Sequence, residues 1–322
     1  MGTFTESAIG EGKAGIGGSR GEPIDAGIAL RTILLATDFS ANSAVALAWA
    51  EQLARHNGAT LVLVHAVSPS PAVVPEFLRW PQEHCDEIRA GARAQLDREA
   101  DTLRGNGVRV RSELGLGHAV PVVIAAADRH QADVIVAGTR GRTEWKRLLL
   151  GSTVAGLIRT ARCPLLTVHP DAGSPRPIRT VLLPTDFSEV ANVAAAAASR
   201  IVGGPAVGGR MMLLHAYHVE YEAAYLPAAI LADALNAADA TVKRKLGELG
   251  AALHETGMPI ESIACEGYPP AAIVDHARSV RADVIAMGTH GISGLDRLLI
   301  GSTAERVIAS APCPVLTVRN PV

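Results

Sequence analysis

Apolar residues along the chain follow two rhythms. Short unbroken aliphatic runs alternate with longer stretches in which apolar positions recur three or four residues apart. An unbroken aliphatic run predicts a strand buried on both faces, as in a parallel sheet. The wider spacing predicts a helix with one core-facing stripe. In the first half, Thr32–Ala36 and Thr60–Val67 read as strands, with a helix over about Asn42–Asn57 stopped by Gly58. A loop with Pro69, Pro71, Pro75 and Pro81 follows. Ile88, Ala92, Leu96, Ala100 and Leu103 then mark the stripe of a second helix. A strand at Val108–Leu114, a helix at about Val120–Arg129 and a strand at Asp133–Ala137 come next. A glycine-rich loop leads into a helix at about Ser152–Arg159, and Pro164–Val168 is the last strand. Strands that alternate with helices imply right-handed crossovers and a parallel, doubly wound sheet.

The second half repeats the first. "DVIVAGTRG" at 133–141 answers "DVIAMGTHG" at 283–291, "RLLLGST" at 147–153 answers "RLLIGST" at 297–303, and "CPLLTV" at 163–168 answers "CPVLTV" at 313–318. These phrases, and His65 with His215, keep a constant offset of 150 residues. "TILLATDFS" at 32–40 answers "TVLLPTDFS" at 180–188 at an offset of 148, so a two-residue insertion lies between. Leu231, Leu235, Val242, Leu246, Leu249 and Leu253 carry the second copy's long helical stripe. The expected organisation is a Gly-rich, disordered tail at 1–27, one α/β domain at 28–170, a linker at 171–177 and a second α/β domain at 178–322.

Composition narrows the partners. The 322 residues are 48% hydrophobic and 19% charged, enough apolar surface for two packed cores. Only 3% are aromatic, which leaves little for a base-stacking nucleic-acid platform. A formal charge of −2 gives no pull toward polyanions. Cys85, Cys163, Cys265 and Cys313 form no C-x-x-C pair, and each reads as a small apolar side chain. No run reaches the ~18 apolar residues of a membrane span, and no signal-peptide core is visible, so a soluble, cytoplasmic protein is expected.

The chemistry is concentrated in one phrase. Gly138-Thr-Arg140-Gly141 is followed after nine residues by Gly151-Ser152-Thr153, and it returns as Gly288-Thr-His290-Gly291 with Gly301-Ser302-Thr303 at the same spacing. Glycines after a strand let the backbone approach a bulky anion. Gly151 and Gly301 each open a helix, whose first N–H groups attract phosphate. In open α/β sheets this loop lies beyond the carboxyl ends of the strands, where ligands bind. The plainer alternative is a glycine turn with a Ser cap. Two occurrences at identical spacing, each beside a duplicated Asp, favour the anion site.

G-2x-G-9x-G-[ST], with T-D-F-S after the first strand and C-P-[LV]-L-T-V as the last strand, resembles the ATP-binding branch of the universal stress proteins from about residue 30 to 320. The resemblance implies two tandem doubly wound domains, each a five-stranded, mostly parallel sheet with helices on both faces, related to the adenine-nucleotide α-hydrolase folds. It places Asp38 and Asp186 by the nucleoside, and Ala36 and Pro184 against the nucleotide through their backbone. It has Ala66 and Ala216 hold the adenine edge by main-chain contacts. The phosphates fall to Gly138, Arg140, Gly141, Arg142, Gly151, Ser152 and Thr153 in copy one. In copy two they fall to Gly288, His290, Gly291, Gly301, Ser302 and Thr303. It also implies that the two last strands pair within the chain, and that the tandem chain forms a homodimer.

Weaker signals add little. Gly17-Gly-Ser19-Arg-Gly21 matches a hydrolase nucleophile pattern without the strand and helix that such a turn needs. His65 with Asp38 and Ser40, like His215 with Asp186 and Ser188, has the residue types of a triad, yet a histidine ending a strand reads better as structural. No metal-ligand spacing occurs, although Mg²⁺ could arrive with ATP. The reading is an ATP-binding, nucleotide-dependent regulator of the stress response, with an unknown protein partner and slow or no hydrolysis. Its rivals are a nucleotide-hydrolysing or nucleotidyl-transferring enzyme, and an interaction module with empty sites.

The loops differ in charge between copies. Arg140, Arg142, Lys146 and Arg147 against Glu144 leave copy one at +3, whereas Arg297 against Asp296 leaves copy two at zero. Replacing Gly141 and Gly291 by bulkier residues should abolish ATP binding without unfolding the chain. Calorimetric titration checks this, and retained binding would remove the assignment.

Overall fold

A computed structural model describes residues 29–68, 82–140, 150–202, 208–217, 227–253, 257–289 and 300–319. The tail and its Gly17–Gly21 pattern, the proline loop, and Gly141, Arg142, His290 and Gly291 lie outside these residues.

The first copy runs β1 (Thr32–Ala36), α1 (Ala41–Asn57), β2 (Thr60–Val67), α2 (Gln82–Gly105), β3 (Arg109–Leu116), α3 (Ala119–His130), β4 (Val134–Gly138), α4 (Ser152–Thr160) and β5 (Leu165–Val168). The second runs β6 (Thr180–Pro184), α5 (Glu189–Ser199), β7 (Arg210–Tyr217), α6 (Ala228–Leu253), β8 (Ile260–Glu266), α7 (Pro269–Ser279), β9 (Val284–Gly288), α8 (Ser302–Ser310) and β10 (Val315–Val318). β1 and β2 fall on the residues that the aliphatic runs predict. β3 extends past the expected Leu114, because it pairs with β2 as far as Val67 opposite Leu116.

Among the described residues, ten strands form one sheet in the order β3-β2-β1-β4-β5-β10-β9-β6-β7-β8. Every neighbouring pair within a copy is parallel. At the seam, β5 and β10 are antiparallel, with Leu166 opposite Leu316. Thr167 Oγ1 donates to Val315 O at 3.1 Å, and Thr317 Oγ1 donates to Leu165 O at 3.2 Å. The strands of the two copies therefore point in opposite directions, and their carboxyl ends lie at opposite ends of the sheet.

Side chains alternate across the pleat into two cores. Ile33 and Leu35 face Trp49 of α1 and Leu96 of α2, and the same layer continues through Ala195 of α5 and Leu246 of α6. Leu34 faces the other way, toward Val123 of α3 and Leu157 of α4, in a layer shared with Ile273 of α7 and Val307 of α8. The stripe on α2 packs from Leu96 onward, and Ile88 is exposed. Cys163 and Cys313 pack against the second core, where burial pushes their thiols up to about 11 and about 12. Among the described residues no helix is long and apolar enough to cross a membrane.

The duplicated acid of "DVI" closes the amino end of each half. Asp133 Oδ2 accepts from Arg31 N and Thr32 N at 2.7 and 2.9 Å, and Asp283 Oδ2 accepts from Arg179 N and Thr180 N, both at 2.9 Å. Arg200 of copy two reaches Asp133 Oδ1 of copy one at 2.6 Å. Burial raises the Asp133 pKa, but the N–H groups of Thr32 and Arg31 and the Arg200 guanidinium outweigh it and hold the carboxyl below the ordinary range.

Because both copies share the seam, Leu316→Asp should destabilise the whole chain by about 3 kcal/mol or more, the cost of an uncompensated buried charge. Thermal unfolding followed by circular dichroism should show one transition moved to lower temperature. Two transitions, of which one stays in place, would show that the seam does not couple the halves.

Candidate functional site

In each copy the strand order reverses direction at the first strand, and a crevice opens beyond the carboxyl ends there. Two turns built alike enter it. At Thr37-Asp38-Phe39-Ser40, Phe39 N donates to Thr37 Oγ1 at 3.1 Å and Ser40 N to Asp38 Oδ1 at 3.0 Å. Thr185-Asp186-Phe187-Ser188 repeats both bonds at 2.9 and 3.1 Å. These bonds force a left-handed backbone on a bulky residue, with φ 62° at Phe39 and 66° at Phe187. Such a conformation costs about 1–2 kcal/mol. The two side-chain bonds, at about 0.5–1.5 kcal/mol each, offset it, helped by packing of the Phe39 ring 4.3 Å from His65.

His65 and His215 serve these turns. Each Nδ1 lies 2.8 Å from a backbone carbonyl, Thr37 O and Thr185 O respectively. A carbonyl only accepts, so the proton sits on Nδ1. The geometry matches a structural histidine that ties the second strand to the turn.

The glycine loop enters from the other side. Gly151 N donates to Thr139 O at 3.0 Å, and Gly301 N to Thr289 O at 2.9 Å. A Cβ on Gly138 would stand 3.1 Å from Asn42 O, and one on Gly151 would stand 3.1 Å from Thr139 O. A side chain at either glycine would press on the chain's own close crossing, a reason for glycine that adds to the approach of an anion. The first hydrogen bond of α4 runs from Ala155 N to Gly151 O, and that of α8 from Glu305 N to Gly301 O. The N–H groups of Ser152, Thr153 and Val154, and of Ser302, Thr303 and Ala304, precede those bonds and have no acceptor inside the helix. Neither Gly151 nor Gly301 supplies a capping side chain. Thr139 Oγ1 is buried without a hydrogen-bond partner among the described residues.

These pieces line a cavity in each copy. In copy one Ala36, Asp38, Ala66, Gly138, Arg140, Gly151, Ser152 and Thr153 surround about 280 Å³. In copy two Pro184, Asp186, Ala216, Gly288, Gly301, Ser302 and Thr303 surround about 450 Å³. Every candidate within the described residues is brought together this way. The structure adds residues that the motif did not suggest. Ala119 and Val123 of α3, and Pro269 and Ile273 of α7, form an apolar wall, and Thr139 and Thr289 sit at the base of the loops. Their only sequence signal is an ordinary helical stripe, which reads as core.

The copies differ inside. Ser43 links Thr37 Oγ1, at 3.2 Å, to Ser40 O, at 2.9 Å, and its N–H is capped by Ser40 Oγ. Copy two has Ala191 at the corresponding wall, and Ser188 Oγ is buried without a partner among the described residues. Ala191 and Ala304, smaller than Ser43 and Val154, open the second cavity. Burial first, and then the Arg140 guanidinium, hold His169 beside the first cavity below the ordinary imidazole range. Among the described residues no group of three or more His, Cys, Asp or Glu is placed to hold a metal ion.

The model of the universal stress protein family matches residues 29–169 and again 177–319. The chain belongs to the universal stress protein family. It is 29% identical over 296 residues to a universal stress protein of Mycobacterium tuberculosis, covering 89% of this chain and 96% of that one. A Thermus aquaticus universal stress protein is 37% identical over 142 residues, 44% of this chain and 98% of its own length. The fold is shared with the crystal structure of a universal stress protein from Archaeoglobus fulgidus, with a TM-score of 0.67 and 21% identity over 89% of this chain and 98% of that one. The tandem α/β architecture of this universal stress protein is thus seen both in its own ten strands and in its relatives.

His65→Phe keeps the ring against Phe39 but removes the donor to Thr37 O. It should destabilise the protein by about 1–3 kcal/mol, the cost of an unsatisfied buried carbonyl, measured by urea unfolding. Unchanged stability with altered nucleotide turnover would give His65 a chemical role instead.

Proposed function

We propose that this universal stress protein binds ATP in both cavities and acts as a nucleotide-dependent regulator of the stress response, hydrolysing ATP slowly or not at all. The observation that carries the reading is the helix N-terminus at each cavity. Three N–H groups without intrahelical acceptors, two hydroxyl side chains and a positive dipole end meet beyond the carboxyl ends of a parallel sheet. The opposite wall is apolar and carries one carboxylate, as suits a nucleoside with a ribose hydroxyl to bind. The second cavity falls within the ~300–1,000 Å³ range of small-molecule sites, and the first lies at its lower limit. Slow or no hydrolysis belongs to the same proposal, in which the histidines, each with Nδ1 held by a backbone carbonyl, keep a structural role. Mg²⁺ enters this reading on the nucleotide's own phosphates, since it keeps several waters and needs few protein ligands. A cytoplasmic setting, a protein partner and a homodimer belong to the same proposal.

The test begins with mass spectrometry of small molecules released from the denatured, purified protein, where ATP is expected. Ser152→Asp and Ser302→Asp each place a carboxylate where phosphate would sit, in a position that a helix tolerates well. Each should weaken ATP binding at its own site by about tenfold or more, close to 1.4 kcal/mol. Titration of the double variant with undiminished affinity would overturn the proposal, and fast phosphate release by the unmodified protein would overturn its regulatory part.

A further inference from the structure

Arg140 and His169 form a pair that only the first copy builds in this orientation. The register of β4 and β5 sets Gly138 opposite Val168, and Thr139 N donates to Val168 O at 2.9 Å. The next residue on each side is therefore brought together. Arg140 Nη2 lies 3.2 Å from His169 Nε2, and His169 is only 7% exposed. For Nε2 to accept from the guanidinium, the ring proton must sit on Nδ1 and turn to Asp171 Oδ2, 3.5 Å away, in place of the contact in which the Asp171 N–H meets the same nitrogen at 3.2 Å. Burial and the guanidinium both keep the ring neutral, and a neutral ring is the form that can hold Arg140.

The second copy has the same register, with Gly288 opposite Val318 and Thr289 N on Val318 O at 2.9 Å. Its two residues are exchanged: His290 stands at the loop and Arg319 follows the last strand. Arg319 Nη1 donates to Arg159 O, in the last turn of α4 across the seam. The guanidinium that lines the cavity in copy one is thus spent on a helix end in copy two.

We propose that His169 is a positioning residue that holds Arg140 at the wall of the first cavity, and that this pair makes the first site, and not the second, select ligands by phosphate charge. This rests on the adenine-nucleotide reading above. A fixed guanidinium gains most from a multiply charged phosphate chain and much less from a monophosphate. The first site should prefer ATP over AMP by a larger factor than the second.

The experiment uses the full-length chain with one site silenced at a time, Ser302→Asp to read the first and Ser152→Asp to read the second, titrated calorimetrically with ATP and with AMP. In the first site, Arg140→Gln should reduce the ATP-over-AMP affinity ratio by about fivefold. His169→Leu should reduce it similarly, and His169→Gln, whose amide oxygen accepts from the guanidinium, should restore most of it. Neither change should alter the ratio at the second site. An unchanged ratio in Arg140→Gln overturns the proposal. So does an equal loss for ATP and AMP in His169→Leu with no rescue by His169→Gln, which is the mark of a purely structural histidine. If His169→Leu does not fold, Arg140→Gln and His169→Gln decide the matter alone. Absence of any nucleotide binding by the unmodified protein overturns the parent reading and this one with it. Binding with a ratio insensitive to Arg140 overturns this one only.

Discussion

The pairing of β5 with β10 is the constraint from which the rest of the molecule follows. Each strand is four residues long and buried at every position. No face of either could meet water without exposing leucine or valine, and no charged side chain or proline blunts their edges. Pairing each with its own repeat satisfies both edges, and the two threonine hydroxyls on the seam find carbonyls on the opposite strand. Both core layers then run through the seam without a break. One chain thus builds internally the symmetric contact that two separate copies would otherwise have to make.

The two ends of each half are finished differently. At the amino ends, Asp133 and Asp283 take up the backbone donors of the neighbouring first strand, and arginines neutralise them. At the carboxyl ends, the turns satisfy their own donors through Thr37, Asp38, Thr185 and Asp186, but the first N–H groups of α4 and α8 have no acceptor inside their helices. Among the described residues, each half is thus closed by carboxylates at its amino end and presents helix N–H groups suited to an anion at its carboxyl end.

Much of this architecture was legible in the residues, and the exceptions have physical causes. Aliphatic runs located β1 and β2 because strands covered on both faces carry no other pattern. The duplication was legible because its phrases keep a constant spacing. The strand expected to end at Leu114 runs on through Gly115, where a Cβ would come 2.3 Å from a Val122 methyl, so α3 packs on bare backbone there. The left-handed Phe39 and Phe187 were not legible, since nothing local to a phenylalanine signals positive φ; the flanking Thr and Asp impose it. The motif named the loop and the helix starts of each site. The apolar wall from α3 and α7 was hidden among residues that look like any core stripe. The link between Arg140 and His169 was also hidden, because it arises from strand register across 29 residues of sequence.

The antiparallel seam has a consequence for whatever reads this protein's state. Because the strands of the halves run in opposite directions, the two cavity mouths face away from each other, one at each end of the sheet. A single flat surface cannot rest on both. If the proposed nucleotide sites are read by a partner, one that senses the first mouth is blind to the second, so full readout would call for two partner molecules at opposite poles or one that wraps the body. On the reading proposed above, the chain would be a two-ended device whose two poles are joined by one continuous sheet.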